Sequence, residues 1–472
     1  MKKGEIRLYN ILLHHIEDKY HFNELIKIFL KPEDYKVYCG DEIKHLSNLN
    51  DKSCINCIDI NLDNHSDINS IKQEIYIKLS KLTNNYPAWG IMTGVRPVKL
   101  TSELFDKNDN NEEKVRNILK DYYYINDEKC NLLIDTYKYQ TNILGKAEDN
   151  SLGLYIGIPF CPTRCLYCSF TSNQKGPSDI KKYLECLLDE IKFAGQATID
   201  NDMSIESVYI GGGTPTTLEA PQLDLLLNTI KDSFDLSKCK EFTVEAGRPD
   251  TITKEKLDVI YKHGIRRISI NPQTMNDETL KLIGRSHSVS DIRDSFLLAK
   301  EYDGFIINAD IIAGLPGENP DDFRKTLEEV ISLEPANITV HTLAVKRASR
   351  LIEADESYHY KQALVVEKML ESAKDILNMN QYRPYYLYRQ KHMAGAMENV
   401  GYCKDDTACI YNIRIMDEHQ SILALGAGGI SKKYYPAENR LERVPNVSNY
   451  EIYIERLNEM IIRKKDNFFK EV

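Results

Sequence analysis

The stretch IPFCPTRCLYCSF, residues 158–170, decides the reading of this chain. It places Cys161, Cys165 and Cys168 in one loop at the spacing C-x3-C-x2-C, directly behind a short β-branched run. A structural zinc site presents four protein ligands, and a lone three-thiolate loop does not close one. Disulfide pairing suits neither an odd number of thiols nor a reducing compartment. Three thiolates do suit a cubane iron–sulfur cluster, whose fourth iron then lacks a protein ligand and can take a small chelating molecule. The bland alternative is three cysteines that are simply buried behind a strand.

Outward from this loop, residues 154–344 repeat one grammar: a β-branched run, a loop, then an amphipathic helix. The expected strands are 154–158, 207–211, 241–246, 266–271, 305–312 and 337–343. Between them lie helical patterns such as APQLDLLLNTIKDSF, in which Leu223, Leu226, Leu227 and Ile230 share one face. Alternating strands and helices imply a parallel sheet, and six units fit an incomplete barrel with its chemistry at the carboxyl ends of the strands. The fold class expected is α/β, a partial (β/α)6 barrel over 151–345. It is flanked by an α+β N-terminal domain over 1–150 and a mostly helical C-terminal domain over 346–472. In the first segment, residues 5–16 read as a strand, 69–83 as a helix and 87–97 as a turn-rich stretch. In the last, 358–380 and 449–465 read as helices, while CIYNIRIM (409–416) and SILALGAGGIS (421–431) read as strand-like.

The whole chain, 472 residues with 42% hydrophobic and 28% charged residues, has an ordinary globular composition. No run approaches the ~18 apolar residues of a membrane span, and the charged N-terminus lacks a signal-peptide apolar region. With eleven cysteines and no secretion signal, a cytoplasmic location is expected. A net charge of −10 argues against a general nucleic-acid binder. The pairs Cys54/Cys57 and Cys403/Cys409 complete no metal pattern, and His14–His15 reads as a polar face.

The motifs resemble the radical S-adenosylmethionine (SAM) superfamily, in which C-x3-C-x2-C follows the first barrel strand. The resemblance implies a [4Fe–4S] cluster on Cys161, Cys165 and Cys168, with SAM on the free iron. By the same resemblance Tyr155, Tyr167, Gly212, Gly213, Thr214, Glu245, Gln273, Arg285, Asp310 and Ala344 contact SAM. Asn271-Pro272 replace the usual residues before Gln273. No residue is assigned as a catalytic acid or base.

Within the superfamily the chain is similar to oxygen-independent coproporphyrinogen III oxidases and their relatives over ~150–431. Phe170 stands where one branch has a fourth cysteine. MTGVRPVKL (92–100), CLYCSF (165–170), ENVGY (398–402) and CIYNIRIM match the HemZ-type branch. The chemistry implied is oxidative decarboxylation of two propionates of coproporphyrinogen III to vinyl groups in haem biosynthesis. The alternatives implied are a haem chaperone or a radical SAM enzyme acting on haem. The implied electron donor is a flavodoxin or ferredoxin. The four substrate carboxylates suggest Arg347, Arg350, Arg383 and Arg389 as partners by charge alone.

Overall fold

A computed structural model describes residues 8–14, 19–43, 57–60, 67–170, 172–344, 362–390 and 396–470. The chain divides into two compact units: residues 1–135 with 389–391 and 395–397, and the remainder.

In the first unit β1 (Tyr9–Leu13) lies between β2 (Tyr35–Cys39) and β3 (Cys57–Ile60), parallel to both. Ile11, Leu13 and Ile60 pack against Leu25 and Ile26 of the helix Tyr20–Phe29 and Ile75 and Leu79 of the helix Ile68–Thr83. Parallel neighbours need crossover connections, and the helix Tyr20–Phe29 supplies one. The second helix starts where Asp67 accepts from Ser70 N at 2.8 Å and stops at Asn84, whose φ of +50° is left-handed. His14 pairs with Asp59 at 3.0 Å, as a polar face should. Cys54 and His15 lie outside the described residues.

Arg389, offered above as a carboxylate partner, is instead a buried clasp. Its Nη1 donates to Met92 O, its backbone N donates to Val95 O at 2.8 Å, and its guanidinium lies over Trp89. A guanidinium so used, 6% exposed, is not available to a substrate. Arg383 is exposed. Arg347 and Arg350 lie outside the described residues.

The second unit is built on six parallel neighbours: β4 (Ser151–Ile158), β5 (Ser204–Gly212), β6 (Glu241–Glu245), β7 (Arg267–Ser269), β8 (Ile306–Ala313) and β9 (Asn337–Thr342). Each falls on an expected strand. Leu223, Leu226, Leu227 and Ile230 are the buried face of the helix Ala220–Ser233, as their spacing predicts.

Among the described residues after 345 there are five strands as well as helices. They are β10 (Arg383–Arg389), β11 (Glu398–Cys403), β12 (Ser421–Leu425), β13 (Ile430–Tyr435) and β14 (Arg440–Pro445). β12 pairs parallel to β4 and β11 antiparallel to β9, so both edges of the six-stranded core are extended. The described sheet runs β10-β11-β9-β8-β7-β6-β5-β4-β12-β13-β14. This pairing places residues 398–445 in the same compact unit as β4–β9. The division between the two units falls at 135/136, inside the helix Asp127–Ile143.

CIYNIRIM, read as strand-like, is the helix Ile410–Asp417. Its β-branched residues suggest a strand, but the Glu241 carboxylate accepts from Ile410 N at 2.9 Å and Tyr411 N at 3.1 Å, which satisfies two of the free donors of a helix start. Arg414 then forks onto Glu206 at 2.8 and 3.1 Å, so the helix is fastened to β5 and β6.

Candidate functional site

Most of the expected site residues lie at or just past the carboxyl ends of β4–β9; Tyr155 lies within β4, and Arg285 follows the helix Asp277–Leu282. β4 ends at Ile158, and Cys161 follows three residues later. The glycine-rich turn after β5 is stitched to that exit: Gly213 N donates to Ile158 O and Thr214 N to Phe160 O, both at 2.8 Å. Cys161 Sγ lies 3.4 Å from Thr214 Oγ1. Gly212 has φ +114°, a region that only glycine occupies readily. A methyl on Gly213 would stand 2.5 Å from Phe160 O, and one on Gly211 3.0 Å from the Glu245 carboxylate. Gly213→Ala is therefore expected to destabilise by about 1–3 kcal/mol, since backbone must move. Thermal unfolding checks it.

Glu245, at the end of β6, accepts a short hydrogen bond from Tyr209 OH. Burial, opposed by that hydrogen bond and aided by nearby Asp310, pushes its carboxyl up to about 7. Asp310 on β8 has the opposite balance. Burial pushes it up, but His341 on β9 (Nε2 3.5 Å from Oδ2) and Asn308 Nδ2 (2.8 Å from Oδ1) bring it below the ordinary value. Tyr388 OH lies 3.3 Å from His341 Nδ1. Under Glu245 the interior is filled by Tyr155, Tyr209 and Tyr411, whose rings stack at centroid separations of 4.6–6.4 Å. Tyr155, expected to contact SAM, belongs to this stack.

Behind β7, Gln273 is buried with φ +69°. Its backbone bridges to Asp310 O and Ile312 N at 2.8 and 3.0 Å, while its Oε1 has no partner. Asn271 Oδ1 and Arg285 Nε are likewise buried and unpartnered. Arg285 donates to Asn271 O at 2.8 Å and Tyr167 OH at 3.2 Å, so Tyr167 is held from behind. Ala344 follows β9 and is half-buried. His341, Tyr209, Tyr411 and Arg248 were not singled out from the sequence. Of these only Arg248 carried a signal, in the run VEAGRPD behind β6.

The donor set fits a cluster. Cys161, Cys165 and Cys168 are unpaired thiols in one loop. Burial pushes the Cys161 thiol up to about 11, so loading must displace its proton. No three His, Cys, Asp or Glu side chains among the described residues form a ready metal-holding group. The three thiols share a loop without converging on one point. Buried unpartnered polar atoms on one wall and a glycine cradle on the other are what a polar ligand beside that loop requires. The remaining cysteine pair stands apart: Cys403 Sγ donates to Tyr139 OH at 3.3 Å and Cys409 Sγ to Glu241 Oε1 at 3.1 Å.

The sequence profile of the radical SAM superfamily matches residues 155–330. Its members are enzymes that use a [4Fe–4S] cluster and SAM, and this α/β sheet with its thiol loop is of that class. Over 374 residues the chain is 40% identical to the oxygen-independent coproporphyrinogen-III oxidase-like protein HemZ of Bacillus subtilis, spanning 78% of this chain and 74% of that protein. It is 29% identical over 293 residues to the haem chaperone HemW of Haemophilus influenzae, spanning 60% and 71%. The solved structure of coproporphyrinogen III oxidase (HemN) from Escherichia coli superposes with a TM-score of 0.52 at 20% identity, over 69% of this chain and 73% of that one, and shares the fold. The chain belongs to the HemZ family of oxygen-independent coproporphyrinogen-III oxidase-like radical SAM proteins. No helix among the described residues is long and apolar enough to cross a membrane.

Proposed function

We propose that the protein decarboxylates two propionates of coproporphyrinogen III to vinyl groups, giving protoporphyrinogen IX. The observation that carries the reading is the three-thiol loop beside a barrel mouth whose polar atoms, Gln273 Oε1 above all, are buried without partners. The name of the relative that is 40% identical supports the substrate class.

Cys161, Cys165 and Cys168 would hold the cluster. Gly212, Gly213 and Thr214 would present backbone to SAM, with Glu245, Gln273, Arg285, Asp310, Tyr155, Tyr167 and Ala344 around it. Bound together, cluster and SAM supply one-electron cleavage of the sulfonium and removal of a hydrogen atom from a propionate β-carbon. Loss of CO2 and of one further electron to an acceptor completes each vinyl group. Electrons for SAM cleavage come from a flavodoxin- or ferredoxin-type donor. The tyrosine stack excludes water below the mouth, and Arg285 holds Tyr167 in place.

Glu245 makes the binding step pH-dependent. Its carboxyl titrates at about 7, so below that value the neutral form gives up its charge-assisted acceptance of SAM hydroxyl or ammonium protons. SAM affinity is expected to fall as pH drops from 8 to 6, by up to about tenfold per unit. Calorimetry across that range checks it, and Glu245→Gln should flatten the profile.

Anaerobic turnover with SAM, reductant and coproporphyrinogen III tests the function. The expected products are protoporphyrinogen IX, two CO2 and two 5′-deoxyadenosine. SAM cleavage without CO2 loss contradicts the reading. Phe170, in place of a fourth cysteine, and the similarity to HemW favour a haem chaperone as the second reading. Stoichiometric haem binding without decarboxylation would establish that one, and a mass change in added haem would indicate a reaction on haem itself.

A further inference from the structure

The loop that carries the three cysteines is gripped by a guanidinium behind it. Arg248, three residues past β6, is only 3% exposed. Its Nη1 donates to Thr163 Oγ1 at 2.8 Å and Thr163 O at 3.2 Å, and lies 3.9 Å from Cys165 Sγ. Its Nε and Nη2 form a fork on Asp250, each at 2.9 Å, and Nη2 also reaches Ser286 Oγ at 3.1 Å. Ser286 Oγ donates to the same carboxylate at 2.7 Å. The grip is doubled by Thr163 Oγ1 on Gly284 O and Leu166 N on Ile283 O, both at 2.9 Å.

A planar fork held on a carboxylate has little freedom left, so its remaining N–H direction is fixed. Here that direction is the stretch between the first and second cysteines. Two buried guanidiniums lie beside Cys165: Arg285 also binds Tyr167 OH and Asn271 O, whereas Arg248 alone of the two binds the backbone between the first and second cysteines.

We propose that Arg248, oriented by Asp250, is a positioning residue that fixes the cysteine loop and places the positive charge beside Cys165 that raises the cluster's reduction potential. The inference rests on the cluster assignment above. A four-iron core of charge 2+ on three thiolates carries −1 and becomes −2 when the donor's electron arrives. A buried cation within 4 Å of one sulfur favours that electron, and charge and hydrogen bonds at the sulfurs are what set such potentials. Loss of the cation therefore drives the potential down.

The test uses the anaerobically reconstituted full chain as wild type, Arg248→Met, Arg248→Lys and Asp250→Asn. Readouts are iron and sulfide content, an EPR-monitored redox titration, and hydrogen exchange of residues 161–168 before loading. Arg248→Met is expected to shift the reduction equilibrium at least tenfold, about 59 mV more negative for one electron, and to speed exchange of the loop. Arg248→Lys should keep most of the potential but not the slow exchange, because an ammonium lacks the fork. Asp250→Asn retains the cation and removes the neighbouring negative charge, so it should speed exchange of the loop without lowering the potential, and its exchange carries the positioning test if Arg248→Met fails to fold. Unchanged potential and exchange in Arg248→Met, or unchanged exchange in Asp250→Asn where that variant stands in, overturn the inference while leaving the cluster assignment intact. A wild-type chain that fails to hold four irons overturns the assignment itself, and the inference with it.

Discussion

Alanine at any one of Cys161, Cys165 or Cys168 is expected to bring SAM cleavage to background and to leave less than one intact cluster per chain. The reason is arithmetic within the loop. A cubane has four irons, three of which need a thiolate, and no fourth described cysteine or histidine stands in reserve there: position 170 is Phe170, two thirds exposed. Each thiol is therefore required, and the three variants should behave alike. Serine should rescue little, because its hydroxyl stays protonated where a thiol can give up its proton. Iron and sulfide analysis with 5′-deoxyadenosine quantification checks this. A lone cysteine variant that keeps full turnover would contradict the assignment of that residue.

The second large effect lies in the barrel's wall. Lys464 Nζ and Glu190 Oε1 pair at 2.8 Å, both side chains wholly inaccessible to water. Burial pushes the Glu190 carboxyl up, but Lys464, Tyr453 and the Gly426 N–H together hold it below the ordinary value. Glu190 Oε2 accepts from Gly426 N at 2.7 Å and Tyr453 OH at 2.7 Å, and Asn446 bridges Glu190 and Gly426 O. Tyr183 OH completes the tie, donating to Gly157 O at 2.6 Å and accepting from Ala427 N at 3.0 Å. The late glycine turn is thus locked to β4 just before the cysteine loop, and Gly426, at φ +89°, has no room for a Cβ beside Gly157 O. Lys464→Met leaves the carboxylate buried without its counter-charge and is expected to destabilise by about 3–5 kcal/mol. Urea unfolding measures this, and replacing Glu190 by an apolar residue in the same chain should recover much of the loss. Because the folded-state carboxyl is below its unfolded value, this contribution is complete above pH ~4.3 and fades as pH falls through the folded value.

The six core strands were legible because each is a β-branched run, five of them closed by a glycine or proline, and parallel strands between helices leave few other arrangements. The site was legible where chemistry demands residue types: the thiol spacing and the glycine cradle. What hid was non-local. Glu241 turns CIYNIRIM into a helix from 169 residues away. β10 and β11 form because β9 offers a free edge, which no local pattern announces. Arg389 reads as a surface cation until Met92 and Val95 close on it. Arg248 reads as a loop residue until Thr163 and Asp250 are seen to bracket it.

The central claim is that three thiolates hold a four-iron cluster with one iron open to SAM. EPR of the anaerobically reconstituted, reduced protein with and without SAM tests it most directly, alongside iron and sulfide counts. Four irons per chain and a changed EPR signal on addition of SAM are expected. Two irons, or a four-iron signal indifferent to SAM, would contradict it.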